Sequence, residues 1–195
     1  MIESPRRRPA AGMTLIELLV TLAVGAVLLT VAVPNLSAFV KENRVVSATN
    51  DFVAAINVAR TEAVRRGVTV VLCRTMTPTA ATPSCNRTGA TNNDWSTGWI
   101  MYALDDDGAE RDFASATDEL IRVGQALGGS VKLTSNTTGN NWLAIGRDGM
   151  LNEPDPTDIA NYAVCDDRGA SKGRAIEITP VGRPKVTVAT TCTPS

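Results

Sequence analysis

One carboxylate, Glu17, stands in an otherwise uncharged run from Gly12 to Val33, GMTLIELLVTLAVGAVLLTVAV. Its place there asks for a chemical reason. An ionised side chain near the centre of a bilayer costs about 2.5–3.5 kcal/mol, so such a group needs a partner or an interface. Elsewhere the inventory excludes more than it offers. The 195 residues contain no histidine. That removes the commonest general base, the commonest metal ligand and every Ser-His or Cys-His nucleophile pair. The cysteines, Cys73, Cys85, Cys165 and Cys192, lack the C-x-x-C spacing of a thiolate metal site. Asp105-Asp106-Asp107-Gly108, with Glu110 and Asp112, is too tightly spaced for an EF-hand loop and has no glutamate at its twelfth position. It reads as a solvated acidic turn. No catalytic constellation, cofactor or metal is expected.

These residues must be positioned by elements that the pattern makes plain. The 21 residues 13–33 match the roughly 20 that a helix needs to cross the hydrocarbon core. Arg6, Arg7 and Arg8 precede them, which holds that end in the cytoplasm and exports the rest. The run is longer than the h-region of an ordinary secretory signal, and helical signals continue past it. Pro34 removes one backbone donor and kinks the axis. Leu36, Phe39, Val46, Phe52, Val53, Ile56, Ala59 and Ala63 then recur at helical spacing, and Arg65-Arg66-Gly67 makes a C-terminus. One helix is expected from about Thr14 to Arg66, roughly 80 Å long at 1.5 Å per residue.

From Gly67 the pattern is β. Short strands are expected over 68–73, 98–104, 120–127, 131–134, 142–145, 162–165, 175–179 and 185–188, several joined by glycine-containing turns that favour antiparallel meanders. A loop rich in Thr, Pro, Ala and Asn fills 75–94. Trp95, Trp99 and Trp142 read as core or sheet-face residues. The fold class is α+β, a long helix packed on an antiparallel β-sheet domain.

The leader with its arginines, Gly12 and then Met13-Thr14-Leu15-Ile16-Glu17 resembles the type III signal of type IV pilins and pseudopilins. Most members carry Phe where this chain has Met13. The resemblance implies that a prepilin peptidase cuts between Gly12 and Met13 and that Met13 is N-methylated. It also makes Glu17 the fifth-position carboxylate, which in a filament would neutralise the free ammonium of a neighbour's Met13. Such a pair attracts strongly in low dielectric, where either charge alone is expensive. The second half of the chain narrows the likeness. Asn43-Arg44, Ala59-Arg60-Thr61-Glu62-Ala63, Arg66-Gly67, a strand ending at Cys73 and Gly98-Trp99 resemble the GspH/FimT family, which holds minor type IV pilins and the type II secretion pseudopilin H.

The resemblance implies three segments. These are a leader over 1–12, a helix over 13–66 with a transmembrane part at 13–33, and a periplasmic β domain over 67–195. It implies the bacterial inner membrane as location, and a pilus or pseudopilus once assembled. Its partners would be other minor and major pilins or pseudopilins, the prepilin peptidase and the inner membrane. Glu17 and Pro34 are the expected assembly residues.

Four cysteines in an exported domain suggest two disulfides, with three pairings open. Cys73–Cys85 and Cys165–Cys192 is the expected one, closing the loop after the first strand and stapling the C-terminal strand. Removing residues 1–12 takes Glu3 and three arginines from totals of 20 acidic and 19 basic side chains, leaving 19 and 16. Against that acidic total, the stretch from Arg168 to the end carries Arg168, Lys172, Arg174, Arg183 and Lys185 and only Glu177. Gly182-Arg183-Pro184-Lys185 resembles the G-R-x-R motif of DNA-binding family members, with lysine replacing the second arginine. Double-stranded DNA is therefore an alternative partner, through Arg174, Arg183 and Lys185. The bland reading is a turn whose cations are simply solvated.

Overall fold

The computed structural model describes residues 13–85, 93–105, 113, 117–135, 141–152 and 160–192. One helix, α1 (Leu15–Arg66), leads into eight strands. They are β1 (Val70–Arg74), β2 (Trp99–Ala103), β3 (Glu119–Gly124), β4 (Lys132–Ser135), β5 (Trp142–Ile145), β6 (Ala160–Cys165), β7 (Arg174–Ile178) and β8 (Pro184–Val188). A single 3-10 turn, Ala170–Lys172, precedes β7. Residues up to Val40 form one unit and those from Lys41 a second.

Within residues 13–40 the large apolar side chains, among them Leu15, Leu22, Leu29, Leu36 and Phe39, are exposed. The helix runs through Pro34, whose missing N–H leaves the carbonyl of Thr30 without its usual helical donor.

In the second unit α1 buries Val45, Ala48, Phe52, Ala55, Ile56, Ala59 and Ala63, a stripe at spacings of three and four. The phase differs slightly from the sequence expectation: Val45 takes the inward place and Val46 is exposed.

The strands form two four-stranded antiparallel sheets, in the orders β3-β2-β1-β5 and β4-β6-β7-β8. A run of simple meanders does not describe this, because β4 joins the second sheet while β5 returns to the first. Turn chemistry fixes which strands neighbour in sequence. It does not reveal that the chain changes sheets. Both inner faces share one core with α1, built on Phe52, Trp95, Tyr162, Leu72, Leu143 and Ile176. Phe52 meets Tyr162 edge-on at 4.8 Å and Trp95 at 5.8 Å, arrangements that suit the ring quadrupoles.

The first sheet is also covered on its outer face. Val71, Cys73, Ile100 and Tyr102 form a second cluster with Cys85, Phe113 and Trp142 packed on it. Burial on both faces explains why Val70 to Cys73 reads as an unbroken apolar run with no alternation. Trp95 and Trp99 lie in the core and Trp142 is half-buried on a sheet face.

Candidate functional site

The sequence-predicted site residues fall into three places. At the N-terminus, Gly12 lies outside the described residues, as do Asp106, Asp107, Gly108, Glu110 and Asp112 of the acidic run. Met13 is exposed. Thr14 stands just before α1, and the backbone N–H of Glu17 donates to its Oγ1 at 3.3 Å. Thr14-x-x-Glu17 is thus a capping sequence, with the glutamate three places after the cap in the positive first turn. Sequence reading assigned Glu17 to assembly and missed this local role, although the T-x-x-E spacing carries the signal.

The second place is the pair of disulfides. Cys73 is joined to Cys85 with Cα atoms 5.5 Å apart, and Cys165 to Cys192 at 6.0 Å. The first ties β1 to the loop that follows it. The second crosses β7 to reach β6, and Gly173 lies under it. A Cβ at Gly173 would stand 2.8 Å from the Cys165 sulfur and 3.1 Å from that of Cys192, so only glycine fits.

The third place is the basic C-terminal stretch, and here the structure separates the cations. Glu42 of α1 accepts from Arg174 at 2.9 Å and faces Arg168 at 3.2 Å. Arg168 also pairs with the fully buried Asp166 side chain at 2.7 Å, and Lys41 with Asp167 at 2.6 Å. The Asp166 carboxylate beside it lifts Arg168 further above the usual guanidinium range, while Lys41 holds Asp167 below the usual carboxylate range. Two of the five cations are therefore neutralised by a residue more than 120 positions away. Strand parity carries the signal: Arg174 shares the face of Ile176 and Ile178, which are buried in the core.

Arg183 and Lys185 differ from Arg174 in being exposed. Arg183 closes the β7–β8 hairpin, where Thr179 donates to its carbonyl at 3.0 Å and Gly182 takes φ +72°. The glycine of that motif meets a turn requirement. Lys185 pairs in register with Glu177 across the hairpin. Among the described residues no group of side chains forms a metal site.

A family model described as type II transport protein GspH matches residues 48–182, and one described as the prokaryotic N-terminal methylation motif matches residues 7–33. Two crystal structures of the type IV minor pilin FimU of Pseudomonas aeruginosa share the fold. They align at TM-scores of 0.56 and 0.52, each at 17% identity, over 80% and 75% of this chain and 99% and 98% of theirs. No curated protein matches the sequence.

Proposed function

Because the chain belongs to the GspH family of minor pilins and pseudopilins, we propose that it is a minor type IV pilin that helps assemble or initiate a pilus. Family members are structural subunits that associate with other pilins or pseudopilins, so the work is done by contact. In this reading prepilin peptidase cleaves after Gly12, and Met13 becomes the N-methylated N-terminus. Residues 13–33 then hold the subunit in the inner membrane until it is extracted, with the β domain in the periplasm.

The observation that carries the reading is the character of α1 beyond Met13. It begins at a Thr14 cap, exposes apolar side chains along residues 15–29, and has Glu17 as its one charged residue there. In an apolar filament core that carboxylate would meet the ammonium of a neighbour's Met13. The family model's own description keeps a second reading in view, a pseudopilin of type II secretion. A role for double-stranded DNA as a partner would rest on Arg183 and Lys185, since Arg174 is held by Glu42.

Mass spectrometry of the membrane-extracted protein tests the processing step, with an N-methylated Met13 terminus expected. A terminus at Met1 or near Ser37 would remove the pilin reading. Glu17→Gln separates the two roles of that residue. Glutamine still serves a capping box, so processing should continue, while loss of the charge should lower incorporation into the filament nearly as much as Glu17→Ala. Normal incorporation of both variants would rule out the charge pair.

A further inference from the structure

Two connections gather around the first residues of α1 in the second unit. Asp167, between β6 and β7, pairs with Lys41 at 2.6 Å and accepts from Ser130, between β3 and β4, at 3.3 Å. Arg168 and Arg174 meet Glu42 at 3.2 and 2.9 Å. Gly129 lies under Arg44. A Cβ there would stand 2.4 Å from the guanidinium, and its φ of +71° to +72° is itself a glycine conformation. Residues 41–44 and these two connections thus make one end of the domain. Arg66 marks the other, 22 residues further along α1 than Arg44, a rise of roughly 33 Å.

The two ends carry opposite charge. At the first, Lys41, Arg44, Arg168, Lys172 and Arg174 stand against Glu42, Asp166 and Asp167, a surplus of two cations. At the second, Arg65 and Arg66 stand against Glu62, Glu119 and the adjoining Asp105 and Asp118, a surplus of two acids. The positive surplus belongs to Arg44 and to Lys172, which ends the 3-10 turn of the β6–β7 connection. Both are exposed, and among the described residues neither forms an ion pair, whereas Lys41, Arg168 and Arg174 each do.

The course of the chain says what such an end meets. Lys41 follows Val33, the last residue of the apolar run, by eight residues of continuous helix. In a chain anchored by residues 13–33 they rise roughly 12 Å at most, and a tilt or kink only lowers that height. One headgroup layer takes up about 5–7 Å of it. What is left is shorter than the Debye length, about 8–10 Å near physiological salt. Guanidinium meets a phosphate as a two-pronged donor and ammonium meets it as a point charge. Cations held this close to an anionic bilayer are drawn to it.

We propose that this end of the domain rests on anionic phospholipid headgroups, with Arg44 and Lys172 meeting lipid phosphate. The inference rests on the membrane anchoring of residues 13–33 given under the proposed function. The full chain in lipid nanodiscs provides the test, with a fluorophore on Ser171→Cys and a tracer lipid bearing a nitroxide on its headgroup. Ser171 is exposed and lies next to Lys172. Quenching should be at least about threefold stronger in discs of phosphatidylglycerol than in discs of phosphatidylcholine, and should fall as salt is added. Arg44→Gln with Lys172→Gln should remove that difference. The comparison between lipids needs no change to either cation, so it holds even if the double variant folds poorly. A label on Thr117→Cys, near Glu119 at the acidic end, should not distinguish the lipids.

Equal quenching in the two lipids, a difference that survives in the double variant, or one of the same size at position 117 would each overturn the proposal. Inorganic phosphate should act only through ionic strength. If it relieves quenching at matched ionic strength, the cations take a free anion and the proposal falls. A chain that does not stay in discs of either lipid removes the anchoring reading as well. A chain that stays and ignores lipid charge removes this contact alone.

Discussion

The two stretches of α1 use one backbone conformation in two different surroundings. Residues 13–40 expose Leu, Ile, Val and Phe around the helix, and residues 41–66 bury a stripe from Val45 to Ala63 beneath two sheets. Helical propensity alone supports neither length strongly in water; most helix stability in proteins comes from packing. The second stretch receives that packing within its own unit. The first stretch has an apolar surface large enough to call for lipid or other helices around it. The difference divides the helix: stability is decided from Lys41 onward, and the stretch before it offers an apolar surface.

The division can be broken most forcefully at Phe52. Its ring is buried and meets Trp95, Trp99 and Tyr162 edge-on. Phe52→Ala should cost about 3–5 kcal/mol through lost transfer energy and the cavity left behind. Urea unfolding followed by tryptophan fluorescence reads that loss. If residues 1–33 direct membrane insertion and cleavage as proposed above, both should stay normal. A Phe52→Ala protein that unfolds like the parent would show that α1 is not the centre of the core. One that is no longer processed would show that the two stretches are coupled.

The same contrast decides what could be read from the sequence. The apolar run and its single carboxylate were legible because they are written in contiguous residues, where length and polarity can be read directly. The eight strands were legible to within a few residues, from β-branched runs between turns. The split into two sheets was not, because pairing of β1 with both β2 and β5 depends on contacts far apart in sequence. The partners of the basic stretch were hidden for the same reason. Counting charges from Arg168 onward omits Glu42, which binds Arg168 and Arg174 from α1. The pairing of Val45 rather than Val46 with the core shows the limit of periodicity itself, where two adjacent valines sit on the edge of the stripe.

A second, smaller break distinguishes the two disulfides. Cys165–Cys192 spans 27 residues and Cys73–Cys85 spans 12. On the chain-entropy model these contribute about 3.5 and about 2.8 kcal/mol. Replacing both members of the longer bridge should therefore lower the urea midpoint more than doing so for the shorter one, so long as the replacement adds no cost of its own. Cys73 is fully buried beside Tyr102 and Ile100, whereas Cys192 is half-buried at the rim. Burying a serine hydroxyl at position 73 without a partner would add its own cost. Alanine variants should restore the order set by loop length. If the Cys73–Cys85 alanine pair is still the weaker protein, local packing outweighs chain entropy in this domain.

The gentlest test lies at the far end of α1, where charges and not apolar contacts close the helix. Glu62 accepts from Arg65 at 2.5 Å and from Arg66 at 2.6 Å, and Arg66 continues to Glu119. The Arg65 hydrogen bond, then that of Arg66, lowers the Glu62 carboxyl from 4.5 to about 2. A group whose folded pKa is depressed binds fewer protons in the native state than in the unfolded one. Its stabilisation is thus fully present above about 4.5, shrinks as pH falls, and is gone below about 2. Arg65 and Glu119 are well exposed, so solvent and salt screen much of the effect. The parent should exceed Glu62→Gln in urea midpoint at pH 7, and the gap should narrow steadily through this acid window. It should also narrow with added salt at pH 7. A gap that stays constant with pH would mean that glutamine disturbs packing at the helix end and that the ion pairs contribute nothing measurable. A gap confined to low salt would place the α1 terminus firmly on the electrostatic side of the comparison, against the apolar packing that holds the rest of the second stretch.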